Sequence, residues 1–129
     1  MNRQNISTES PYEDKIGFSR AVRCGQWLAV SGTAPIKPDG ATAGIGDTYE
    51  QTRCCLQIIE AAIKAAGATL SDVIRTRVML TDIANWLEAG RAHVEFFKNI
   101  KPACTFVEVK GFVNKEWLVE IEADCCIEE

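Results

Sequence analysis

The sequence predicts a single α+β domain, spanning residues 1–129, in which two helices pack on one face of a mixed β-sheet. The 129 residues are enough for one domain and too few for two. Several short segments alternate apolar and polar residues, as strands do, and two longer segments repeat apolar residues at helical spacing. Their order is strand, strand, helix, strand, helix, strand, strand, which favours helices gathered on one side of the sheet.

The first two predicted strands form a hairpin around Gly25. Residues 18–24 and 26–33 alternate on either side of this glycine, and the second segment is the more apolar. The "KPDG" segment that follows is typical of a turn, because Pro38 restricts φ and Gly40 tolerates a positive φ.

The first helix is predicted to begin after Asp47 and to end at Gly67. Asp47 can cap the free backbone N–H groups, and Glu50 three residues later completes a pattern like a capping box. A single apolar stripe is expected to face the sheet, consisting of Thr52, Leu56, Ile59, Ile63 and Ala66.

The next strand and helix are predicted from residues 71–81 and 82–100. The strand alternates between an apolar face of Ile74, Thr76, Val78 and Leu80 and a second face of Arg75, Arg77 and Met79. The inner side of the helix is assigned to Trp86 or Leu87, Ala89 or Gly90, Val94 and Phe97. Pro102 prevents the helix from continuing, and His93 is expected on its outer side.

Residues 100–125 are predicted to form a closing hairpin with charged side chains. The first strand carries Cys104, Phe106 and Glu108 on one side, and the second carries Glu120, Glu122 and Asp124 on one side. We interpret Glu122 and Asp124 as ion-pair partners of Arg75 and Arg77. Such ion pairs contribute little to stability when they are exposed. Three acids on one strand also favour a raised pKa for one of them.

The sheet face without helices is predicted to be a subunit interface. Apolar residues that could point there are Trp27 or Leu28, Met79, Phe106 and Leu118. A half-apolar sheet face usually becomes an interface, so the sequence predicts a homo-oligomer with small-molecule sites at the seams between subunits.

Composition argues against several other classes of function. The net charge is −4 and no run of Lys or Arg is present, so a nucleic-acid partner is not favoured. No apolar run is long enough for a membrane span, and the polar N-terminal residues lack a signal-peptide core, so we expect a cytoplasmic protein. The six cysteines have no Cys-x-x-Cys spacing, which predicts reduced thiols and neither a metal nor a cofactor.

Five segments, in their order and spacing, carry a resemblance to a known family. They read "IGFSRAV", "VSGTAPI", "TYEQTRCCLQIIEAAIKAAGATLSDVIRTRVMLTDIANW", "FFKNIKPACTFVEV" and "LVEIEADC". The chain resembles the RidA/YjgF family, also labelled L-PSP or endoribonuclease-like, from about Gly17 to Asp124. The resemblance implies a chorismate-mutase-like fold and a homotrimer with its sheets facing inward and its sites in inter-subunit clefts.

The resemblance also implies an activity and its residues. Active members hydrolyse enamines and imines to a keto acid and ammonia; an arginine grips the substrate carboxylate, and a glutamate moves the proton of the attacking water. Glu120 matches that glutamate, whereas Cys104 in "PACT" stands at the arginine position. Phe18 replaces the usual tyrosine, and Thr33 stands where glutamine is frequent. The candidate catalytic residue is Glu120, and the candidate substrate-binding residues are Phe18, Arg20, Ser31, Gly32, Thr33, Cys104, Thr105 and Phe106.

Two of these residues allow more than one interpretation. Arg20 could supply a displaced positive charge for an anionic ligand, or it could be solvated or paired with an acid. Cys104 could be a nucleophile or oxidation sensor, or a small apolar filler. We favour the filler, because the chain has a single histidine, His93, and we expect it elsewhere.

Three functions follow, from different classes. The leading hypothesis is a hydrolase or deaminase for a small imine, enamine or related C–N compound, distinct from a standard 2-aminoacrylate deaminase because of Cys104. The alternative is a non-catalytic trimer that binds a metabolite or regulates an enzyme. An endoribonuclease is the least favoured, given the acidic balance and the single histidine.

Overall fold

The computed structural model describes residues 2–128 and contains a six-stranded sheet. The strands are β1 (Arg3–Ile6), β2 (Ala21–Cys24), β3 (Trp27–Thr33), β4 (Val73–Leu80), β5 (Ala103–Glu108) and β6 (Val119–Cys126). Their spatial order is β1-β2-β3-β6-β4-β5. The β4–β5 pair is parallel and the other neighbours are antiparallel, so the predicted mixed sheet is confirmed.

Over the same described range, three α-helices accompany the sheet, namely α1 (Pro11–Ile16), α2 (Thr48–Ala65) and α3 (Trp86–Phe97), with short 3₁₀ turns at Leu70–Asp72 and Ile83–Asn85. The predicted start of α2 is confirmed, since Asp47 Oδ1 accepts a hydrogen bond from Glu50 N at 3.0 Å. The helix ends before Gly67, whose φ of +85° is strained for any other residue.

The hydrophobic core lies between one face of the sheet and helices α2 and α3. The predicted stripe of α2 is buried throughout, and the sheet contributes Leu28, Val30, Val78, Leu80, Val119 and Ile121 to the same cluster. Each such aliphatic side chain contributes about 1.5–3 kcal/mol when it leaves water. The opposite face, which we call the helix-free face, carries the alternate residues of these strands, including Trp27 and Glu120.

The inner side of α3 agrees with the prediction at Ala89 and Phe97 and differs from it at the other residues. Trp86, Leu87 and Val94 are exposed, and the buried residues are Ala89, Ala92 and Phe97. Apolar residues occur around most of this helix, so periodicity could not select the packed side. The observed side places small alanines against the core, where they allow a close approach of neighbouring elements.

The strand β4 also departs from the predicted alternation at one residue. The register between β4 and β6 shifts between Val73 and Arg75, which marks a bulge at Ile74. Ile74 is therefore 44% exposed, while Thr76, Val78 and Leu80 are buried as predicted.

The prediction of a closing hairpin was wrong. β5 pairs in parallel with β4, and β6 lies between β3 and β4, antiparallel to both. The register aligns Cys104 with Thr76 and Phe106 with Val78, so both side chains face the helices. Phe106 therefore does not belong to the helix-free face. Alternation defines the two faces of a strand but does not name its neighbour, which explains the error.

The N-terminal strand β1 and helix α1 were not predicted. A capping box begins α1, with Ser10 as the cap and Glu13 at the third position. Burial would raise the pKa of Glu13, but hydrogen bonds from Thr8, Ser7 and Ser10 outweigh it and lower the pKa. The spacing of Ser10, Pro11 and Glu13 was a readable start signal.

Candidate functional site

Four of the candidate site residues line one cavity at the end of the sheet where β2 and β6 begin and β3 ends. The cavity has a volume of about 110 Å³, and its walls include Tyr12, Phe18, Arg20, Gly32, Trp117 and Glu120. We call it the Glu120 cavity. Tyr12 and Trp117 were not among the candidate site residues from the sequence, because nothing local to α1 or to the segment before β6 indicates that the two side chains meet at this cavity.

Arg20 is buried inside this site. Only 6% of the residue is exposed, which excludes the solvated interpretation. One terminal nitrogen donates to the carbonyl of Gly32 at 2.8 Å and to Thr33 Oγ1 at 3.2 Å, and the guanidinium lies 5.4 Å from the ring centre of Phe18. Burial lowers the pKa of Arg20, while the nearby carboxylates of Glu13 and Glu120 oppose that shift.

Two buried N–H groups at the Glu120 cavity have no hydrogen-bond partner. They are Arg20 Nε and Trp117 Nε1, and within residues 2–128 no other buried side-chain nitrogen or oxygen lacks one. Trp117 is 5% exposed, and its ring meets Tyr12 edge-on at 5.7 Å. Buried donors are nearly always paired in native proteins, so these two indicate a place for an acceptor atom.

Glu120 supplies a proton-exchanging group to the same cavity. It lies half-buried on the helix-free face, where desolvation raises the pKa of its carboxyl and Arg20 opposes the shift. A Cβ added at Gly32 would lie 3.1 Å from Glu120 Oε1, so this glycine leaves room for the carboxylate. A carboxyl group with a raised pKa suits general acid–base catalysis.

Ser31 and Thr33 hold the end of β3 in place. The Ser31 hydroxyl donates to the carbonyl of Ser19 at 2.6 Å, and the Thr33 hydroxyl donates to the carbonyl of Ser31 at 2.8 Å. The β3–β6 register is irregular between Val30 and Thr33, which matches these local bonds. Thr33 is fully buried and lines a second cavity of about 400 Å³, whose walls also include Arg20.

The acids farther along β6 form the predicted ion pairs. Arg77 lies 3.1 Å from both Glu122 and Asp124, and all three side chains are partly exposed. The prediction is thus confirmed for Arg77, and Glu122 and Asp124 have a structural explanation that Glu120 lacks.

The candidate residues of β5 lie apart from the Glu120 cavity. Cys104 and Phe106 face α3, whereas Thr105 points to the helix-free face beside Arg77. Because Glu120 lies on the helix-free face, a single chain does not bring it together with Cys104. The candidate site is therefore divided into two parts within one chain.

The expected position of His93 was wrong. His93 lies on the inner side of α3, with Nε2 2.9 Å from Thr76 Oγ1 and 3.9 Å from Cys104 Sγ. Burial lowers the pKa of His93. Cys104 is exposed in the single chain, and its contact with His93 favours the nucleophile interpretation over the apolar filler. The sequence contained no signal for this contact, because it depends on which side of α3 is buried.

Two further expectations concern the cysteines, as reduced thiols without a metal, and the lack of a membrane-spanning segment. No disulfide joins the cysteines within residues 2–128, and Cys55 and Cys125 are buried. Within residues 2–128, no group of three or more His, Cys, Asp or Glu side chains could hold a metal ion. No helix in that range combines the length and apolar character needed to cross a bilayer.

A family model described as endoribonuclease L-PSP matches residues 9–127 of this chain. The chain belongs to the RidA/YjgF family. A RutC family protein of Pyrococcus horikoshii is 36% identical over 121 residues, which covers 94% of this chain and 95% of that protein. The family predicted from the sequence segments is therefore confirmed.

Solved structures of RidA/YjgF proteins agree with this fold. A Mycobacterium tuberculosis protein, described as a member of the highly conserved YjgF/YER057c/UK114 family, is 42% identical, with a TM-score of 0.90 over 98% of this chain and 100% of that one. A Yersinia pestis protein of the conserved Rid family is 30% identical, with a TM-score of 0.84 over the same shares. Both likenesses confirm the α+β architecture.

Proposed function

We propose that this RidA/YjgF protein hydrolyses a small imine, enamine or related C–N compound bound in the Glu120 cavity. One observation carries the proposal. A carboxyl group whose pKa is raised by burial lines the same cavity as two buried N–H donors that have no partner in the chain. The donors can hold acceptor atoms of a ligand while the carboxyl group exchanges a proton with it.

The proposed reaction uses Glu120 twice. Its carboxylate accepts a proton from a water molecule whose oxygen forms a bond to the imine carbon. The resulting carboxylic acid returns that proton to the nitrogen, which has taken the π electrons of the C=N bond, and a carbinolamine forms. Glu120 then moves the hydroxyl proton of the carbinolamine to the nitrogen, the C=O bond forms as the C–N bond breaks, and ammonia or an amine leaves. Arg20 Nε and Trp117 Nε1 orient the substrate by donating hydrogen bonds to its acceptor atoms.

The substrate is proposed to be held differently from those of the arginine-bearing relatives. Cys104 stands at the arginine position and cannot clamp a carboxylate. Arg20 is the cation that lines the Glu120 cavity. One of its terminal nitrogens already donates hydrogen bonds to Gly32 and Thr33. We therefore propose a substrate that carries no carboxylate, in place of the amino-acid-derived anion that the family arginine grips.

A homotrimer with inward-facing sheets is part of the proposal. The helix-free face presents Trp27, which is 59% exposed, and Val107, which is 41% exposed. Burying them would remove apolar surface from water, and a seam could add β5 of one subunit to the Glu120 cavity of the next. Sedimentation velocity at micromolar concentration should give three times the mass of one chain. A stable monomer would contradict the assembly.

The activity can be tested by ammonia release. Imines without a carboxylate would be generated in situ by an amine oxidase from simple amines, and imines with a carboxylate by an amino-acid oxidase from amino acids, and their hydrolysis would be followed with and without the protein. We expect acceleration for the amine-derived imines and little for the amino-acid-derived ones. Acceleration confined to the amino-acid-derived imines would contradict the proposed substrate class.

The second candidate function is a non-catalytic trimer that binds a metabolite or regulates an enzyme. The observation in its favour is Cys104 at the arginine position. An absence of acceleration with every imine would favour this alternative. We propose the reducing cytoplasm as the location for either function, because cysteines remain thiols there. The acids on the helix-free face, Glu120, Glu122 and Asp124, argue against a nucleic-acid partner.

A further inference from the structure

An exposed thiol and a partly buried imidazole meet where β5 passes beneath α3. Cys104 Sγ lies 3.9 Å from His93 Nε2, within the range of a hydrogen bond to sulfur. Both groups are on the helix-covered side of the sheet, so they are separate from the Glu120 cavity of the same chain. The hydrolysis proposed above assigns no step to either side chain, even where a seam brings β5 to the Glu120 cavity of the next subunit.

The imidazole of His93 is held by contacts on several sides. Thr76, which is fully buried on β4, places Oγ1 2.9 Å from Nε2. The ring centre of Phe97 lies 4.6 Å away, and that of Phe106 lies 6.2 Å away in an edge-on arrangement. The Thr76 hydroxyl can donate or accept a hydrogen bond, so it can remain hydrogen-bonded to His93 in either protonation state of the imidazole.

The pair has the elements that an activated thiol requires. A thiolate is far more nucleophilic than a thiol, and an adjacent base can produce it at neutral pH. Burial lowers the pKa of His93, so its imidazole is neutral at pH 7, and Thr76 Oγ1 lies 2.9 Å from Nε2, where it can accept a hydrogen bond once Nε2 has taken a proton. Cys104 is exposed on the edge strand β5, where a small molecule can approach the sulfur.

We propose that Cys104 and His93 form a nucleophilic site that captures small conjugated carbonyl compounds as thioethers. His93 Nε2 accepts the proton of the thiol, and Sγ forms a bond to the β-carbon of the substrate. The π electrons of the C=C bond move to the α-carbon, which then takes the proton from His93. The reaction consumes no oxidant, and the flanking ring of Phe106 suits a planar, unsaturated ligand.

The rate of alkylation by N-ethylmaleimide tests this site. The second-order rate constant of each cysteine would be measured at pH 7 by peptide mass spectrometry, and Cys104 is expected to react fastest. The His93→Gln variant keeps a polar group that can bond to Thr76 but removes the base. It should slow Cys104 by about 10-fold or more while leaving Cys54 and Cys126 unchanged.

A second readout follows the histidine directly. His93 is the sole histidine of the chain, so its imidazole proton resonances can be assigned without ambiguity. These resonances should shift when Cys104 of the wild type is alkylated. In the Cys104→Ser variant, adding N-ethylmaleimide should leave them unchanged. Equal Cys104 rates in wild-type and folded His93→Gln protein would overturn the proposal, as would unmoved resonances in the alkylated wild type.

Discussion

We expect the Glu120→Gln variant to hydrolyse imines about 100- to 10,000-fold more slowly than the wild type. Glutamine has nearly the same volume and keeps hydrogen-bonding capacity, but it cannot exchange a proton. The carboxyl group of Glu120, with its raised pKa, is the proton-exchanging group that we assign to the reaction. The measurement is kcat/KM from ammonia release, with the melting temperature confirming that the variant is folded.

The Glu122→Gln variant is the matched control. Glu122 lies two residues along the same strand and on the same face, but it pairs with Arg77 at 3.1 Å. This partly exposed pair contributes about 1 kcal/mol or less to stability, and we expect turnover within about twofold of wild type. Wild-type turnover in Glu120→Gln, or equal losses in both variants, would remove Glu120 from the catalytic step.

The second large effect concerns stability, and we expect it from Gln51→Leu. Gln51 is fully buried on α2, where Nε2 donates to the carbonyls of Glu116 at 2.9 Å and Gly44 at 3.3 Å. Its Oε1 accepts from Leu118 N at 2.7 Å. Leucine leaves these backbone groups without partners, and each buried unpaired group costs about 1–3 kcal/mol. We expect a total loss of about 3 kcal/mol in the free energy of unfolding.

Gln57→Leu provides the control for this change. Gln57 lies on the same helix but is exposed, so the identical substitution should alter stability by about 0.5 kcal/mol or less. Urea denaturation of both variants measures the difference. Because Leu118 immediately precedes the strand that carries Glu120, Gln51→Leu should also reduce imine hydrolysis. Similar stabilities of the two variants would contradict the proposed role of these buried hydrogen bonds.

The sequence alone determined the features that depend on neighbours along the chain. The cap at Asp47, the buried stripe of α2 and the alternation of β6 are all local, because a helix repeats every 3.6 residues and a strand every two. The order of the motif segments identified the family, and with it the candidate role of Glu120. The same local logic contained the capping box of α1, which was overlooked.

The tertiary structure decided which segments became neighbours. It inserted β6 between β3 and β4, chose the alanine side of α3, and brought His93 to Cys104. It also buried Arg20 with an unpartnered N–H at the Glu120 cavity. Periodicity assigns a residue to one face of a helix or strand but does not say which other element packs against that face. Contacts between segments that are distant in sequence depend on shape and burial in the whole core.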